Sequence, residues 1–169
     1  YLGNSYKGMP LQYIENPVYD KTNNIYSLSL AKKELQEDDT LLIESDLILD
    51  DALLPMLVSN PSPNLALVAK YETWMDGTMV CIDEEDNIVN FVPKQAFRYS
   101  DVSSYYKTVN VYKFSREFSS SQYVPFLEAY TKALGNNEYY EQVLRVVTLL
   151  DNCPLKVLPL DGQKWYEID

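Results

Sequence analysis

The sequence contains no histidine among its 169 residues, and this absence excludes several kinds of enzyme at once. Ser-His-Asp and Cys-His sites need an imidazole base, and most zinc chemistries need imidazole ligands. The two cysteines, Cys81 and Cys153, are too few for a disulfide framework, and we interpret them as free thiols of a cytoplasmic protein. Histidine-dependent catalysis and a disulfide-stabilised fold are therefore both excluded.

Positive charge is also scarce. The chain has 14 Lys and Arg residues against 25 Asp and Glu residues, a net charge of −11, and its densest basic segment is Lys32-Lys33. A nucleic-acid binder needs a basic face that displaces counterions from phosphates. No apolar run approaches the ~20 residues that span a bilayer. We therefore expect neither a nucleic acid nor a membrane as a partner.

The order of the apolar patterns predicts an α/β fold in one domain, residues 1–169. The nearly continuous apolar run 40–49 is typical of a central strand that is covered on both faces. We expect a mixed, mostly parallel sheet flanked by helices. Strands are predicted over 10–15, 40–49, 65–70, 78–82, 87–92, 108–114, 155–160 and 165–168, and helices over 25–35, 50–57, 121–134 and 138–150.

Two acidic motifs lie in or beside apolar strands at distant points of the sequence. Glu44-Ser45-Asp46 interrupts the run 40–49, and Glu167 and Asp169 alternate with apolar residues at the end. A buried strand tolerates a carboxylate when it is paired or bound to a metal, and Mg²⁺ favours one or two carboxylates plus substrate phosphates. We interpret Asp46 and Asp169 as parts of one divalent-metal site. The alternative is an exposed strand end and a polar strand face.

Polar residues at a helix start and a group of aromatic residues are further candidates. Asn side chains in Thr22-Asn23-Asn24 suit a nucleobase edge, or else cap the helix. Aromatic rings beside carboxylates form cages for ammonium groups, although many of the 15 tyrosines must fill the core. Lys107 is placed to reach an anionic substrate, unless it is an ordinary surface lysine. The aromatic and acidic residues concerned are Trp74, Asp76, Tyr105, Tyr106, Glu138, Tyr139, Tyr140, Glu141, Trp165 and Tyr166.

Together these segments resemble the nucleotidyltransferase family that activates phosphocholine or 2-aminoethylphosphonate with CTP. The similarity runs the whole length of the chain and is most specific in segments 22–25 and 165–169. The other matching segments are 15–19, 26–28, 44–46, 74–78, 107–110 and 137–141. The resemblance implies a Rossmann-like nucleotidyltransferase fold of the GT-A-like kind, with CTP and a small amine-bearing phosphate or phosphonate as partners.

The resemblance also implies a role for each candidate. Mg²⁺ would be the cofactor, held by Asp46, Asp169 and Glu167, with Asp46, Asp169 and Lys107 as catalytic residues. The nucleotide would contact Thr22, Asn23, Asn24 and Glu44. The amine-bearing substrate would contact Trp74, Asp76, Tyr139, Tyr140, Glu141 and Trp165.

The sequence departs from the family at its start. The family begins with a strand and a Gly-rich loop that grips phosphates, whereas the five glycines here are dispersed. The resemblance thus implies a domain without its first strand-helix units, and we expect little or no transferase activity from this chain alone. We also expect self-association through exposed sheet edges. In some bacteria the family domain is fused to a pyridoxal-phosphate aminotransferase-like module, which we do not find here.

Two alternatives remain open at this point. One is a non-catalytic or degenerate nucleotide-binding domain. The other is a metal-dependent sugar-nucleotide glycosyltransferase, because Glu44-Ser45-Asp46 also resembles the acidic strand-end motif of that class.

Overall fold

A central sheet of six strands organises the structure, a computed structural model that describes residues 3–151 and 153–168. The described strands are β1 (Ser5–Tyr6), β2 (Met9–Pro10), β3 (Thr40–Ile43), β4 (Leu47–Leu49), β5 (Leu65–Lys70), β6 (Met79–Ile82), β7 (Ile88–Val92), β8 (Tyr106–Phe114), β9 (Lys156–Pro159) and β10 (Trp165–Glu167). The helices are α1 (Asn24–Leu30), α2 (Lys32–Glu37), α3 (Leu53–Ser59), α4 (Arg116–Phe118), α5 (Val124–Leu134) and α6 (Glu141–Val147). A π-helical turn, Ser119–Tyr123, joins α4 to α5, and 3₁₀ turns form at Lys94–Ala96 and Tyr99–Ser104.

Strand β8 is the axis of the sheet. It pairs antiparallel with β5 along one edge, and with β6 and then β3 along the other edge. The sheet continues from β5 to a parallel β9 and from β6 to an antiparallel β7. Strands β3, β5, β6 and β9 therefore share one direction, while β7 and β8 run opposite to them. The predicted mixed α/β fold is confirmed, and most strands of the sheet point one way even though most neighbours pair antiparallel.

Hydrophobic residues cover both faces of the sheet. In β5, Ala66 and Val68 face the cluster that contains residues of α1, α5 and α6, whereas Leu65 and Leu67 face the cluster that contains α3. This alternation follows from the two-residue period of side chains along a strand. Burial on both faces explains why β5 is apolar almost throughout, as in other α/β proteins.

The apolar run 40–49 does not form one central strand, and that prediction is wrong. It divides into β3, which joins the central sheet, and β4, which pairs with β10 in a separate two-stranded sheet. The division falls at Glu44-Ser45-Asp46, because carboxylates that need solvent or a cation cannot continue a buried strand. Burial in β3 alternates between half-buried and exposed residues, so this strand is not covered on both faces.

Several other boundaries also differ from the predictions. No strand forms over 11–15; instead β2 ends at Pro10 and pairs with β1. The helix predicted over 25–35 is interrupted at Ala31, which ends α1 and precedes α2. No helix within residues 3–151 and 153–168 has both the length and the apolar character needed to cross a bilayer. Self-association remains a prediction.

Candidate active site

The two acidic motifs of the sequence lie next to each other, beyond the carboxyl end of β3. The turn 44–46 follows β3, and β4 after it pairs with β10, so that Leu47 lies opposite Glu167. The backbone N–H of Ile168 donates to the carbonyl of Asp46 at 2.8 Å. Carboxylate oxygens of Glu44, Asp46 and Glu167 consequently lie within 4.8 Å of one another. Asp169, the other predicted metal ligand, lies outside the described residues.

The first half of β8 brings buried polar side chains to the same place. Lys107 is only 2% exposed, and its Nζ donates to the carbonyl of Thr108 at 2.8 Å. The same Nζ lies 3.5 Å from Oε2 of Glu167. Gly77 packs over the lysine: its φ of +93° suits glycine, and an added Cβ would lie 3.4 Å from Lys107 Nζ. Lys107 is therefore a buried ammonium group and not a solvated surface lysine.

Asn110 connects the two acidic motifs directly. Its Nδ2 donates to Oε2 of Glu44 at 3.0 Å and to Oε1 of Glu167 at 3.2 Å. Its backbone carbonyl accepts from the N–H of Glu44 at 3.3 Å. Asn110 is 6% exposed and so is held inside the protein. This one residue thus contacts carboxylates from the β3–β4 turn and from the last described strand.

The start of α1 supports the site from the opposite side. Asn23 caps the helix, because its Oδ1 accepts from the N–H of Asn24 at 2.8 Å. Asn24 Nδ2 donates to Oε1 of Glu44 at 3.4 Å, while its Oδ1 accepts from the N–H of Tyr140 at 2.9 Å. Asn24 therefore fixes Glu44 and the beginning of α6 relative to each other.

Burial and like charges change the acidity of two glutamates. Burial raises the pKa of Glu141 to about 7, and the neighbouring Glu44 adds to this shift. Burial also raises the pKa of Glu44, with further contributions from Asp46 and Glu167. The Tyr140 hydroxyl, which lies near Glu44 without strict hydrogen-bond geometry, acts in the opposite direction, as does Lys107. A cation that entered here would relieve the repulsion between these carboxylates.

Two cavities open onto this group of residues. The first, which we call the carboxylate cavity, has a volume of about 480 Å³ and is lined by Asn24, Glu44, Asp76, Gly77, Thr78, Pro93, Lys94, Gln95, Lys107, Asn110, Glu138, Tyr139, Glu141, Gln142 and Glu167. The second, the tryptophan cavity, has a volume of about 530 Å³ and is lined by Trp74, Met75, Asp76, Gly77, Lys107, Trp165, Tyr166 and Glu167. Four residues belong to both linings and thus form a shared wall: Asp76, Gly77, Lys107 and Glu167.

Some of the predicted site residues lie away from these cavities. Tyr140 is 2% exposed and packs edge-on against Tyr112 in the core, with ring centroids 5.9 Å apart, so its ring does not enclose a substrate amine as predicted. Its backbone N–H donates to Asn24 Oδ1, and its ring fills the core cluster beside Tyr112. The Thr22 hydroxyl donates to the carbonyl of Val18 at 3.0 Å, within its own loop. The nucleotide role of Thr22 and Asn23 stays a prediction.

The remaining predicted substrate residues lie at the cavity openings. Trp74 is 54% exposed, and its ring centroid lies 5.9 Å from that of Trp165. Asp76 forms an exposed ion pair with Lys94, at 2.5 Å. Tyr139 lines the carboxylate cavity and is 56% exposed. The structure thus gathers most of the predicted set, but with the carboxylates inside and the aromatic rings at the rim.

Sequence reasoning missed Asn110 and Thr108 as site residues. The available signal was their position in a strand: Asn110 stands between two valines in the predicted strand 108–114. A buried polar residue needs hydrogen-bond partners, and here the partners are the two acidic motifs. The argument that singled out Asp46 therefore applied equally to Asn110.

The chain was also compared with known proteins. No known protein-family profile matches it. A curated relative, the CMP-5'-(3-aminopropyl)phosphonate synthase of Streptomyces rubellomurinus, is 27% identical over 169 residues. This alignment covers 99% of the chain but 27% of the relative, so the chain spans about a quarter of that protein's length.

Solved structures show the same architecture. The CTP:phosphocholine cytidylyltransferase from Streptococcus pneumoniae superimposes with a TM-score of 0.68 over 90% of this chain and 61% of its own, at 19% identity. The inositol-1-phosphate CTP transferase from T. maritima gives a TM-score of 0.64 over 88% of this chain and 56% of its own, at 18% identity. This chain has the nucleotidyltransferase fold. Its resemblance to CTP-dependent nucleotidyltransferases is confirmed.

The position of the site agrees with general rules for open α/β sheets. Ligands of such sheets bind outside the carboxyl ends of the strands. In this nucleotidyltransferase fold, Glu44 directly follows the carboxyl end of β3, and Lys107 lies near the amino end of the oppositely directed β8. Both residues therefore lie at the same end of the sheet strands.

Proposed function

We propose that this chain carries the metal-binding and acceptor-binding part of a cytidylyltransferase site, which transfers CMP from CTP to a small phosphonate that bears a primary amine. The observation that carries the proposal is the grouping of Glu44, Glu141 and Glu167 around the buried Lys107. In such a site the glutamate carboxylates accept hydrogen bonds from an ammonium group, and the Lys107 ammonium binds an anionic oxygen. The relative from Streptomyces, whose name specifies a CMP aminoalkylphosphonate product, supports this class of acceptor.

The chemistry of the carboxylate cavity favours a primary amine over a trimethylammonium group. Its lining includes five carboxylates but a single aromatic ring, that of Tyr139. A primary ammonium has three N–H donors for these oxygens, whereas a trimethylammonium has none and would leave buried acceptors without partners. In the tryptophan cavity the ring of Trp165 already lies 5.8 Å from the Lys107 ammonium. An aromatic cage for choline is therefore less well formed than a carboxylate site for an amine.

The cluster of three acidic side chains also suits a hard divalent cation. Mg²⁺ prefers oxygen ligands, and Glu44, Asp46 and Glu167 offer carboxylate oxygens within 4.8 Å of one another. Asp169 remains a predicted ligand on sequence grounds. When bound, Mg²⁺ would supply positive charge beside the phosphate groups of the nucleotide.

The side chains of this protein would bind and orient the acceptor. In the reaction a phosphonate oxygen forms a bond to the α-phosphorus of CTP, the bond from that phosphorus to the bridging oxygen breaks, and pyrophosphate leaves with the electron pair. The phosphonate is already an anion at neutral pH, so no histidine base is needed. Lys107 would hold the anionic end of the acceptor and Glu141 its amine. Orientation and charge neutralisation then account for most of the rate enhancement.

Calorimetric titration of the chain with 3-aminopropylphosphonate, phosphocholine and propylphosphonate, each with Mg²⁺ and CTP, tests the acceptor class. We expect the aminophosphonate to bind at least about tenfold more tightly than the other two, because only it can donate to the carboxylates. Equal affinities would contradict the assignment. Pyrophosphate release from CTP, in this chain and in any longer protein that contains it, tests transfer itself.

A further inference from the structure

Asn110 has a backbone conformation that its place in the fold does not require. Its φ is 59°, in the left-handed region, although it lies in the interior of β8. Among the described non-glycine residues, Lys7 and Asp86 share a positive φ, and both lie in turns between paired strands, where the chain must reverse. No reversal occurs at Asn110. The conformation therefore needs another explanation.

The local register shows what this conformation achieves. Ala66 of β5 pairs with Tyr112 and Val68 pairs with Thr108, so two steps along β5 match four along β8. The extra residues form a bulge centred on Asn110, and bulges change the direction in which a strand presents its side chains. Here the bulge directs the Asn110 amide toward the carboxylates of Glu44 and Glu167.

The hydrogen bonds fix which way the amide faces. Both protons of Nδ2 are used, one toward Glu44 at 3.0 Å and one toward Glu167 at 3.2 Å. On the other side, Oδ1 accepts from the Thr108 hydroxyl at 3.0 Å. A rotated amide would instead point its oxygen at two carboxylates, which repel it. The amide therefore bridges two carboxylates from distant parts of the chain with a single orientation.

We infer that Asn110 is a positioning residue, which holds the Glu44 and Glu167 carboxylates together for a divalent cation; this rests on the proposed function for the cation's role. An amide suits the task because it donates two hydrogen bonds without adding charge. A lysine or arginine at this position would neutralise the carboxylates and compete with the cation. Lys107, which does carry a charge, lies within ion-pair distance of the Glu167 carboxylate, whereas Asn110 bonds both Glu44 and Glu167.

A purely structural role for Asn110 makes a different prediction. Asn is tolerated in the left-handed region, and glycine is tolerated there even better. If Asn110 only accommodates the bulge, Asn110→Gly should leave every property of the site intact. If it positions the carboxylates, the same substitution should preserve the fold while it changes the site.

Three variants separate the two roles. Asn110→Gly keeps the backbone conformation and removes the amide, and Asn110→Asp keeps the shape and removes both donors. Asp86→Gly is the matched control, because it makes the same backbone change in the exposed β6–β7 turn. The probe is Mn²⁺, followed by electron paramagnetic resonance, together with the thermal midpoint and a metal-free crystal structure of each variant.

We expect Mn²⁺ affinity to fall about 10–100-fold in Asn110→Gly, as is usual when a residue that holds metal ligands is removed. Asn110→Asp should lose less affinity, because its added carboxylate can itself bind the ion. Asp86→Gly should bind Mn²⁺ as the unaltered chain does. Asn110→Gly should still unfold in one cooperative transition, but with a lower thermal midpoint than Asp86→Gly, because Thr108 and the two carboxylates lose a buried partner. Its crystal structure should show the Glu44 and Glu167 carboxylates moved apart.

The outcomes distinguish this inference from the proposed function. Unmoved carboxylates and unchanged Mn²⁺ affinity in Asn110→Gly would overturn the positioning role, whatever the acceptor titrations show. Moved carboxylates in a chain that does not prefer aminophosphonates would support the positioning role and overturn the proposed acceptor. An equal loss of Mn²⁺ binding in Asp86→Gly would also overturn the inference, because the effect would then not come from the amide.

Discussion

The carboxylate cavity and the tryptophan cavity share the wall formed by Asp76, Gly77, Lys107 and Glu167, yet they are built differently. On the carboxylate side, Glu44, Asn110 and Glu141 are buried or half-buried, and hydrogen bonds join Glu44 to Asn110. On the tryptophan side, Trp74 is 54% exposed and makes its hydrogen bond to a neighbour two residues away. Hydrogen bonds between side chains of distant segments fix the carboxylate side, whereas on the tryptophan side the exposed Trp74 contacts the distant Trp165 by ring packing.

This difference indicates where specificity resides. Buried polar groups with several partners lose little freedom on binding and are costly to leave unpaired, so they discriminate strongly between ligands. Exposed rings contribute contact area but discriminate weakly, since a ring can move and water can replace the ligand. We therefore expect substitutions on the carboxylate side to have larger effects than substitutions on the tryptophan side.

The largest effect is expected at the shared wall. Lys107→Met removes the buried ammonium group and leaves Glu167 and its neighbours without this partner. We expect the free energy of unfolding to fall by up to about 3 kcal/mol, the lower end of the cost of breaking a buried ion pair from one side, because the Glu167 side chain is 28% accessible. Urea denaturation at neutral pH measures the change. Binding of 3-aminopropylphosphonate should be lost in the same variant.

Lys94→Met is the matched control for this substitution. Lys94 lines the same cavity, but its ion pair with Asp76 is exposed, with 72% and 70% of the two side chains accessible. Exposed ion pairs contribute about 0–1 kcal/mol. If Lys107→Met and Lys94→Met lowered the free energy of unfolding equally, burial would not be what distinguishes Lys107. Larger effects would then no longer be expected at buried polar residues than at exposed ones.

Glu141→Gln should change how stability depends on pH. The pKa of Glu141 is raised to about 7 from an ordinary value near 4.5. Between these values the folded chain holds a proton that the unfolded chain has released, so stability falls as pH rises from about 4.5 through 7. The full shift corresponds to about 3 kcal/mol. We expect Glu141→Gln to lie within about 1 kcal/mol of the unaltered chain at pH 5 and to exceed its stability clearly at pH 8.

The same substitution should weaken amine binding, although it stabilises the fold. In the unaltered chain, the affinity for 3-aminopropylphosphonate should rise from pH 6 to pH 8 as Glu141 becomes charged. In Glu141→Gln this rise should be much smaller. Glu138→Gln, which removes an exposed carboxylate from the same cavity, is the control and should retain the rise. A flat profile for the unaltered chain would refute a role for Glu141 in binding the amine.

The sequence predicts the carboxylate cavity in part, because its acidic residues interrupt apolar segments. Such interruptions are visible in a sequence: Glu44 in the run 40–49 and Asn110 between valines both require partners that the strand itself cannot provide. The identity of those partners depends on a contact between segments 57 residues apart, namely Asn110 with Glu167. Nothing local in the sequence specifies that contact, so the sequence indicates that Asn110 needs partners but not which residues they are.

The positions of the aromatic residues were harder to predict. An aromatic residue fits a core and a binding cage equally well, so composition could not separate Tyr140, which is buried, from Tyr139, which lies at the cavity. The two are adjacent in the sequence, and both precede α6, which begins at Glu141. The predicted strand boundaries were wrong for a related reason. The apolar run 40–49 indicates one strand, and its local pattern does not show that the chain turns at Glu44-Ser45-Asp46.

Trp74→Ala should have the smallest effect of the set, and it tests the aromatic side of the comparison directly. Because the ring is more than half exposed, we expect the free energy of unfolding to change by less than about 1 kcal/mol. The affinity for 3-aminopropylphosphonate should change by less than about threefold, since a primary amine bound by carboxylates gains little from this ring. Weak phosphocholine binding should decrease more, because a trimethylammonium has only aromatic faces to contact. If Trp74→Ala instead abolished aminophosphonate binding while Glu141→Gln did not, the amine would lie in the tryptophan cavity.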